Sequence, residues 1–212
     1  MSIINGSLLA DIVKFHKPEH NANTAAIVID ERDEHLDEAA VNGIIRKQSQ
    51  QETLHFCKEL GCSVIVVHDL WELYPRHIYG VIGQPDFSCI KEASGVLDGA
   101  TSPPLLPYLK EQEITSLVLM GGKYDMCVQQ SLMGTYSFAT VSSGILNHQI
   151  IVLSSPSLLA DYNPEIYSLS PKFSPSVSSF NNENIDCACL NKINWPMFVL
   201  SPGMRFYTKI KE

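Results

Sequence analysis

Three side chains in this sequence are of the types that acyl transfer uses, and each follows a short apolar run. Asp30 closes TAAIVID, Lys91 closes SCIK, and Cys127 lies just beyond SLVLMGG. An ionised thiol is a strong nucleophile, and a carboxylate beside it accepts its proton. An ammonium beside both stabilises the thiolate and holds the carboxylate in place. Cys127 is expected in the first turn of a helix, where free backbone NH groups and the positive helix end favour thiolate over thiol. The NH groups of the glycine turn at Gly121 and Gly122 are suited to receive a developing oxyanion.

These groups meet only if the intervening elements bring them to one edge. TAAIVID (24–30) and SVIVVHD (63–69) are β-branched, nearly all apolar and end in acids, as strands buried on both faces of a parallel sheet do. Between them, residues 39–60 carry Val41, Ile44, Ile45, Leu54, Cys57 and Leu60 on one helical face, and Gly61 supplies the stop. Residues 71–87 contain Pro75, Gly80, Gly83 and Pro85 and read as a long loop, followed by a short strand at 88–91. A second loop leads to a short helix with Leu105, Leu106 and Leu109, ending near Gln112. The strand at 116–121 enters the glycine turn. A helix N-capped by Asp125 then runs to about residue 146 and a fifth strand covers 148–153. Alternating strands and helices predict an α/β fold, a mostly parallel sheet of five or six strands between two helical layers. In such sheets ligands collect beyond the carboxyl ends of the strands, the edge shared by Asp30, Asp69, Lys91 and Cys127.

Around this core, residues 1–23 read as an N-terminal arm with a weak helical pattern at Leu8, Leu9, Ile12 and Val13. Residues 24–162 form the main domain. Residues 163–212, rich in Ser, Asn and Pro, read as an extension packed on the same domain, with one more strand at 195–200.

Composition excludes several classes. The chain has 212 residues, enough for one core, and 45% of them are hydrophobic against 18% charged. With 15 Lys and Arg against 23 Asp and Glu, the net charge is −8, and no basic stripe suits a nucleic acid. No apolar run approaches the roughly 18–20 residues that cross a bilayer. The amino-terminal segment lacks the pattern of a secretory leader. Six cysteines are too dilute for a disulfide scaffold, so a reducing, cytoplasmic compartment is expected.

Three ordered segments resemble the isochorismatase-like cysteine hydrolase superfamily, which includes nicotinamidases and N-carbamoylsarcosine amidase. AIVID (26–30) is similar to the superfamily's first strand with its Asp, and IKEASGVLDG (90–99) to its Lys followed eight residues later by Gly. LVLMGGKYDMCV (117–128) is similar to its strand, glycine, five residues and Cys-Val, and is the most specific of the three. The resemblance implies a three-layer α-β-α fold of Rossmann-like topology, with Cys127 as nucleophile, Asp30 as general base and then acid, and Lys91 as their cationic partner. It also implies a cis peptide at Gly122-Lys123 and an oxyanion hole built from the backbone NH groups of Lys123 and Cys127. The implied activity is hydrolysis of a small amide or carbamoyl C–N bond through a thioester, with a small-molecule substrate, no cofactor, and a homo-oligomer as the common assembly.

The sequence also departs from that pattern. Nicotinamidases carry Asp-x-His and further histidines that bind a metal, whereas here HDLWELYPRH puts Trp71 where that His would fall. His68, Asp69 and His77 are ligands by type, but they are expected to hydrogen-bond rather than to hold a metal. The superfamily's Gln after the first Asp is missing, and Glu31 and Asp33 crowd Asp30 with like charge while Arg32 opposes them. Trp71, Tyr74 and Tyr124 are candidates for an aromatic substrate pocket, although aromatics in such loops commonly seal a core. Cys187 and Cys189 lack partner ligands at metal-binding spacing. Taken without the resemblance, Cys127 reads as a small core hydrophobe, Lys91 as a strand-end lysine in solvent, and Asp30 as a strand terminator. The alternative to a hydrolase is therefore a catalytically silent module of the same fold that binds a protein or metabolite.

Overall fold

The computed structural model describes residues 6–32, 41–70, 75–91, 95–123, 127–136, 141–145, 148, 150–160 and 204–206. Helix α1 (Gly6–Phe15) and strand β1 (Asn23–Ile29) are followed by α2 (Val41–Glu59), β2 (Ser63–Asp69), α3 (Arg76–Ile82) and β3 (Phe87–Lys91). Next come β4 (Thr101–Ser102), α4 (Leu105–Glu111) and the long β5 (Ile114–Lys123). Beyond these lie α5 (Gln129–Met133), β6 (Gly134–Tyr136), β7 (Val141–Ser143), β8 (Ile151–Ser154), β9 (Leu159–Ala160) and β10 (Met204–Phe206).

The main sheet has the order β10-β8-β5-β1-β2-β3-β4. Strands β8, β5, β1, β2 and β3 are parallel, β4 and β10 pair antiparallel at the two edges, and β9 runs parallel to the end of β5. This is the expected mostly parallel α/β sheet, widened by short edge strands. Ile29 stands opposite Val67 on one side and Gly121 on the other, and Asp69 stands opposite Lys91, so the carboxyl ends of four strands share one edge, with β1 ending two residues short of its neighbours. Chain order reverses between β1 and β5, the kind of switch point at which open α/β sheets collect ligands.

Alternation along β1 divides the core in two. Ala25, Ile27 and Ile29 face a layer containing Val96, Leu97, Leu105, Leu109, Val128 and Leu132. Ala26 and Val28 face a layer containing Leu8 and Ile12 of α1, Leu54 and Cys57 of α2, and Ile78 and Ile82 of α3. Full burial of a Leu or Ile contributes about 1.5–3 kcal/mol, so Leu8 and Ile12 make α1 a working part of the core.

Four expectations are corrected. Residues 71–87 are not all loop, because α3 lies within them. Pro75 stands at its N-cap and Gly83 at its C-cap, and Ile78 and Ile82, four apart, bury a stripe that the exposed Gly80 obscures in sequence. The helix after Cys127 ends at Met133 rather than near 146, since Gly134 and the β-forming Thr135, Tyr136 and Val141 continue as the β6-β7 hairpin. The strand expected at 148–153 begins at Ile151. On α2, Ile44 is 61% exposed while Arg46, Ser49, Gln50 and Thr53 are buried, so half of its inward face is polar. The possible strand at 195–200 lies outside the described residues, but Met204–Phe206 joins the sheet beside β8.

Candidate active site

Asp30 closes β1 in a left-handed turn with φ of 46°, its NH donating to the Val67 carbonyl at 2.9 Å. If β1 continued its alternation, residue 30 would share the face of Ala26 and Val28, whereas Lys91 alternates with Cys89 on the face of Ile27 and Ile29. Leaving the strand in this turn lets the carboxylate reach the lysine. For an L residue the left-handed region costs about 1–2 kcal/mol, and Asp tolerates it better than most. The neighbouring strand adapts to the turn. A Cβ at Gly121, whose φ is 132°, would run into Ile29 backbone, and one at Gly122 into the Asp30 carbonyl. The two glycines are therefore required by how closely β5 passes the end of β1.

Lys91 Nζ donates to Asp30 Oδ2, and both side chains are buried. The other oxygen, Asp30 Oδ1, is buried without a hydrogen-bond partner. The half-buried thiol of Cys127 lies close enough that Asp30 and Lys91 both act on its ionisation. Ser131 donates to the Cys127 carbonyl at 2.6 Å and ties the thiol's backbone to α5. The structure thus brings Asp30, Lys91 and Cys127 together from β1, β3 and the segment after β5. Farther along the edge, Arg32 Nη2 lies 3.4 Å from Asp69 Oδ2, and Asp69 also acts on Lys91, so opposite charges alternate along the strand ends.

The electrostatics correct one expectation. Burial, then the Asp30 charge, pushes the Cys127 thiol up to about 12, and Lys91 only partly offsets them. Burial and the carboxylate outweigh the pull of a helix terminus toward thiolate, so the cysteine is a neutral thiol beside an ion pair. Burial alone would lower Lys91, but Asp30, Cys127 and Asp69 outweigh it and hold the ammonium above its usual range. Burial likewise pushes Cys89 up to about 12.

These shifts predict alkaline loss of stability. Above pH 9 the unfolded chain gives up thiol protons that folded Cys89 and Cys127 keep to about 12, so the unfolded state gains. Lys91 adds to the trend, because a raised lysine stabilises the fold below 10.5 and loses this as pH rises through its folded value. Urea midpoints should fall from about pH 9 upward, and Cys89→Ala with Cys127→Ala should flatten the fall. A midpoint constant through that range would contradict both thiol shifts.

Other candidates are placed differently. His68 Nε2 pairs with the Tyr79 hydroxyl at 2.8 Å, His77 Nε2 with Gln50 Oε1 at 2.8 Å, and Asp69 with Arg32, so the three do not converge. Among the described residues no group of three or more His, Cys, Asp or Glu is placed to hold a metal. Lys123 ends β5 opposite Ala160 of β9. The Gly122-Lys123 peptide is not cis; among the described residues the cis bond is Ser102-Pro103. Trp71, Tyr74, Tyr124, Asp125, Cys187 and Cys189 lie outside the described residues. Glu31 turns its carboxylate away to Arg46 and Gln50 of α2, where it is buried. Apolar periodicity does not reveal that cluster. Its signal is polar residues at 46, 49, 50 and 53, the spacing of one buried helix face.

No family model and no curated protein matches the sequence. Solved structures match the fold. The nicotinamidase from Staphylococcus aureus superposes with a TM-score of 0.53 at 19% identity, covering 68% of this chain and 85% of that one. The pyrazinamidase/nicotinamidase from Streptococcus mutans gives 0.52 at 15%, covering 68% and 90%. An isochorismatase family protein from Burkholderia thailandensis gives 0.53 at 17%, covering 71% and 87%. The chain therefore has the isochorismatase-like α/β fold that its three segments resemble. No helix among the described residues is long and apolar enough to cross a membrane.

Proposed function

We propose that the protein is a cysteine-dependent hydrolase of a small amide or carbamoyl C–N bond. The observation that supports this most is the buried Asp30 carboxylate, with one oxygen paired to Lys91, the other without a hydrogen-bond partner, and the group close enough to Cys127 to act on its ionisation. A neutral thiol with a proton acceptor at hand needs no standing thiolate. As the sulfur attacks the carbonyl carbon, its proton moves to Asp30 and the carbonyl oxygen becomes an oxyanion held by the backbone NH groups of Lys123 and Cys127. Collapse breaks the C–N bond, and Asp30 returns the proton to the departing ammonia or amine. Asp30 then takes a proton from water as the oxygen attacks the thioester. The acid leaves, and the proton returns to sulfur. Lys91 holds Asp30 in place through the cycle and favours its charged form between the proton transfers.

The fold is shared with a nicotinamidase and a pyrazinamidase/nicotinamidase, and this favours amide substrates. Trp71, Tyr74 and Tyr124 are proposed to contact the substrate. The test is to incubate the intact chain with small carboxamides and carbamoyl compounds, quench in acid and weigh the Cys127 peptide. An added acyl mass on Cys127 that is absent from Cys127→Ala, with matching release of ammonia or amine, supports the proposal. Neither adduct nor release across the set would make the chain a silent module.

A further inference from the structure

The carboxylate next to Asp30 has no part in the cycle above, yet Glu31 is 2% exposed and fully engaged. Arg46 Nη2 lies 3.5 Å from its Oε1, and Gln50 Nε2 donates to its Oε2 at 2.6 Å. Arg46 and Gln50 are buried as well. Gln50 Nε2 also donates to the Leu158 carbonyl at 2.9 Å, and its Oε1 meets His77 Nε2 at 2.8 Å. Gln51 donates to the His77 carbonyl at 3.1 Å. Through two side-chain oxygens, Glu31 is tied to α2, to α3 and to the turn at Pro156–Leu158.

A strained left-handed residue at a functional site persists where the surrounding structure over-determines it. Before Asp30 the constraint is the β1 ladder and the bond to Val67. After it, the constraint is Glu31. We propose that Glu31 is a positioning residue: anchored by Arg46 and Gln50, it holds the turn that keeps the Asp30 carboxylate between Lys91 and Cys127. This rests on the roles of Asp30 and Cys127 proposed above. A hydrophobic side chain would fill the same space with less desolvation, but only a carboxylate fixes the direction of the turn through two bonds.

The reporter is the Cys127 thiol, which Asp30 holds high and Lys91 pulls low. If the turn relaxes and Asp30 moves away, the thiol ionises more easily even as turnover falls. Iodoacetamide alkylation of the intact chain across pH, read at each cysteine by mass spectrometry, follows this alongside acyl-enzyme formation. Glu31→Gln should raise the Cys127 rate near pH 8 toward that of Asp30→Asn and cut acylation by about 10- to 100-fold. Gln50→Met should do the same more weakly, and it carries the test if Glu31→Gln does not fold. Leu8→Ala, which weakens the core layer on the side of the sheet away from Cys127, should leave the Cys127 profile unmoved and so serves as the control for lost stability. Profiles of Glu31→Gln and Gln50→Met that overlay the wild type, with Asp30→Asn shifted, would overturn the positioning role alone. If Asp30→Asn itself moves nothing, the coupled thiol and carboxylate are wrong, and the role of Glu31 falls with them.

Discussion

Replacing Asp30 with Asn is expected to make Cys127 easier to ionise while nearly abolishing amide turnover. After burial, the Asp30 charge is the main influence pushing the thiol up to about 12, and Lys91 is the influence opposing it. Without the carboxylate the lysine acts unopposed and the thiol titrates lower. Each unit of fall gives tenfold more thiolate but a less nucleophilic one, a net gain of about threefold in alkylation, so a fall of about two units gives roughly tenfold. Turnover moves the other way, because the neutral amide can neither take the thiol proton nor return it to the leaving group. Loss of a general acid and base costs about 10²- to 10⁴-fold. Alkylation and acylation measured on one preparation test this. If both fall together, Asp30 is holding the thiol in place rather than exchanging its proton.

Lys91→Met should have the largest effect on stability. It removes the ammonium from a carboxylate that is 2% exposed and whose other oxygen already lacks a partner. Breaking one side of a buried ion pair typically costs about 3–5 kcal/mol, because the remaining charge stays desolvated. A double change, Asp30→Asn with Lys91→Met, removes the stranded charge and should recover most of that loss. Urea unfolding of the four proteins gives the coupling directly. The same lysine change should slow Cys127 alkylation, since the cation that lowers the thiol is gone. If the double variant is no more stable than Lys91→Met, the two side chains are not coupled in the fold.

Much of the architecture is local enough to read. TAAIVID and SVIVVHD are strands because β-branched apolar residues suit backbone buried on both faces, and Gly61, with φ of 80°, ends α2 where a left-handed residue is needed. α3 was missed because its buried stripe is two isoleucines long and interrupted by glycine. The polar inner face of α2 is invisible to apolar periodicity, because Arg46, Ser49, Gln50 and Thr53 are the residues buried there.

Residue types and their order along the chain determined by themselves that an acid, a lysine and a cysteine finish parallel strands or follow them at one edge, since that depends on strand periodicity and glycine spacing. Only the tertiary structure decided what these groups are to one another. The left-handed turn at Asp30, the glycines that accommodate it and the buried Glu31 behind it arise from segments distant in sequence. So does the state of Cys127. A helix terminus read locally favours a thiolate, but burial and a carboxylate brought from β1 outweigh it, because charge interactions inside a protein follow distance and desolvation rather than position along the chain.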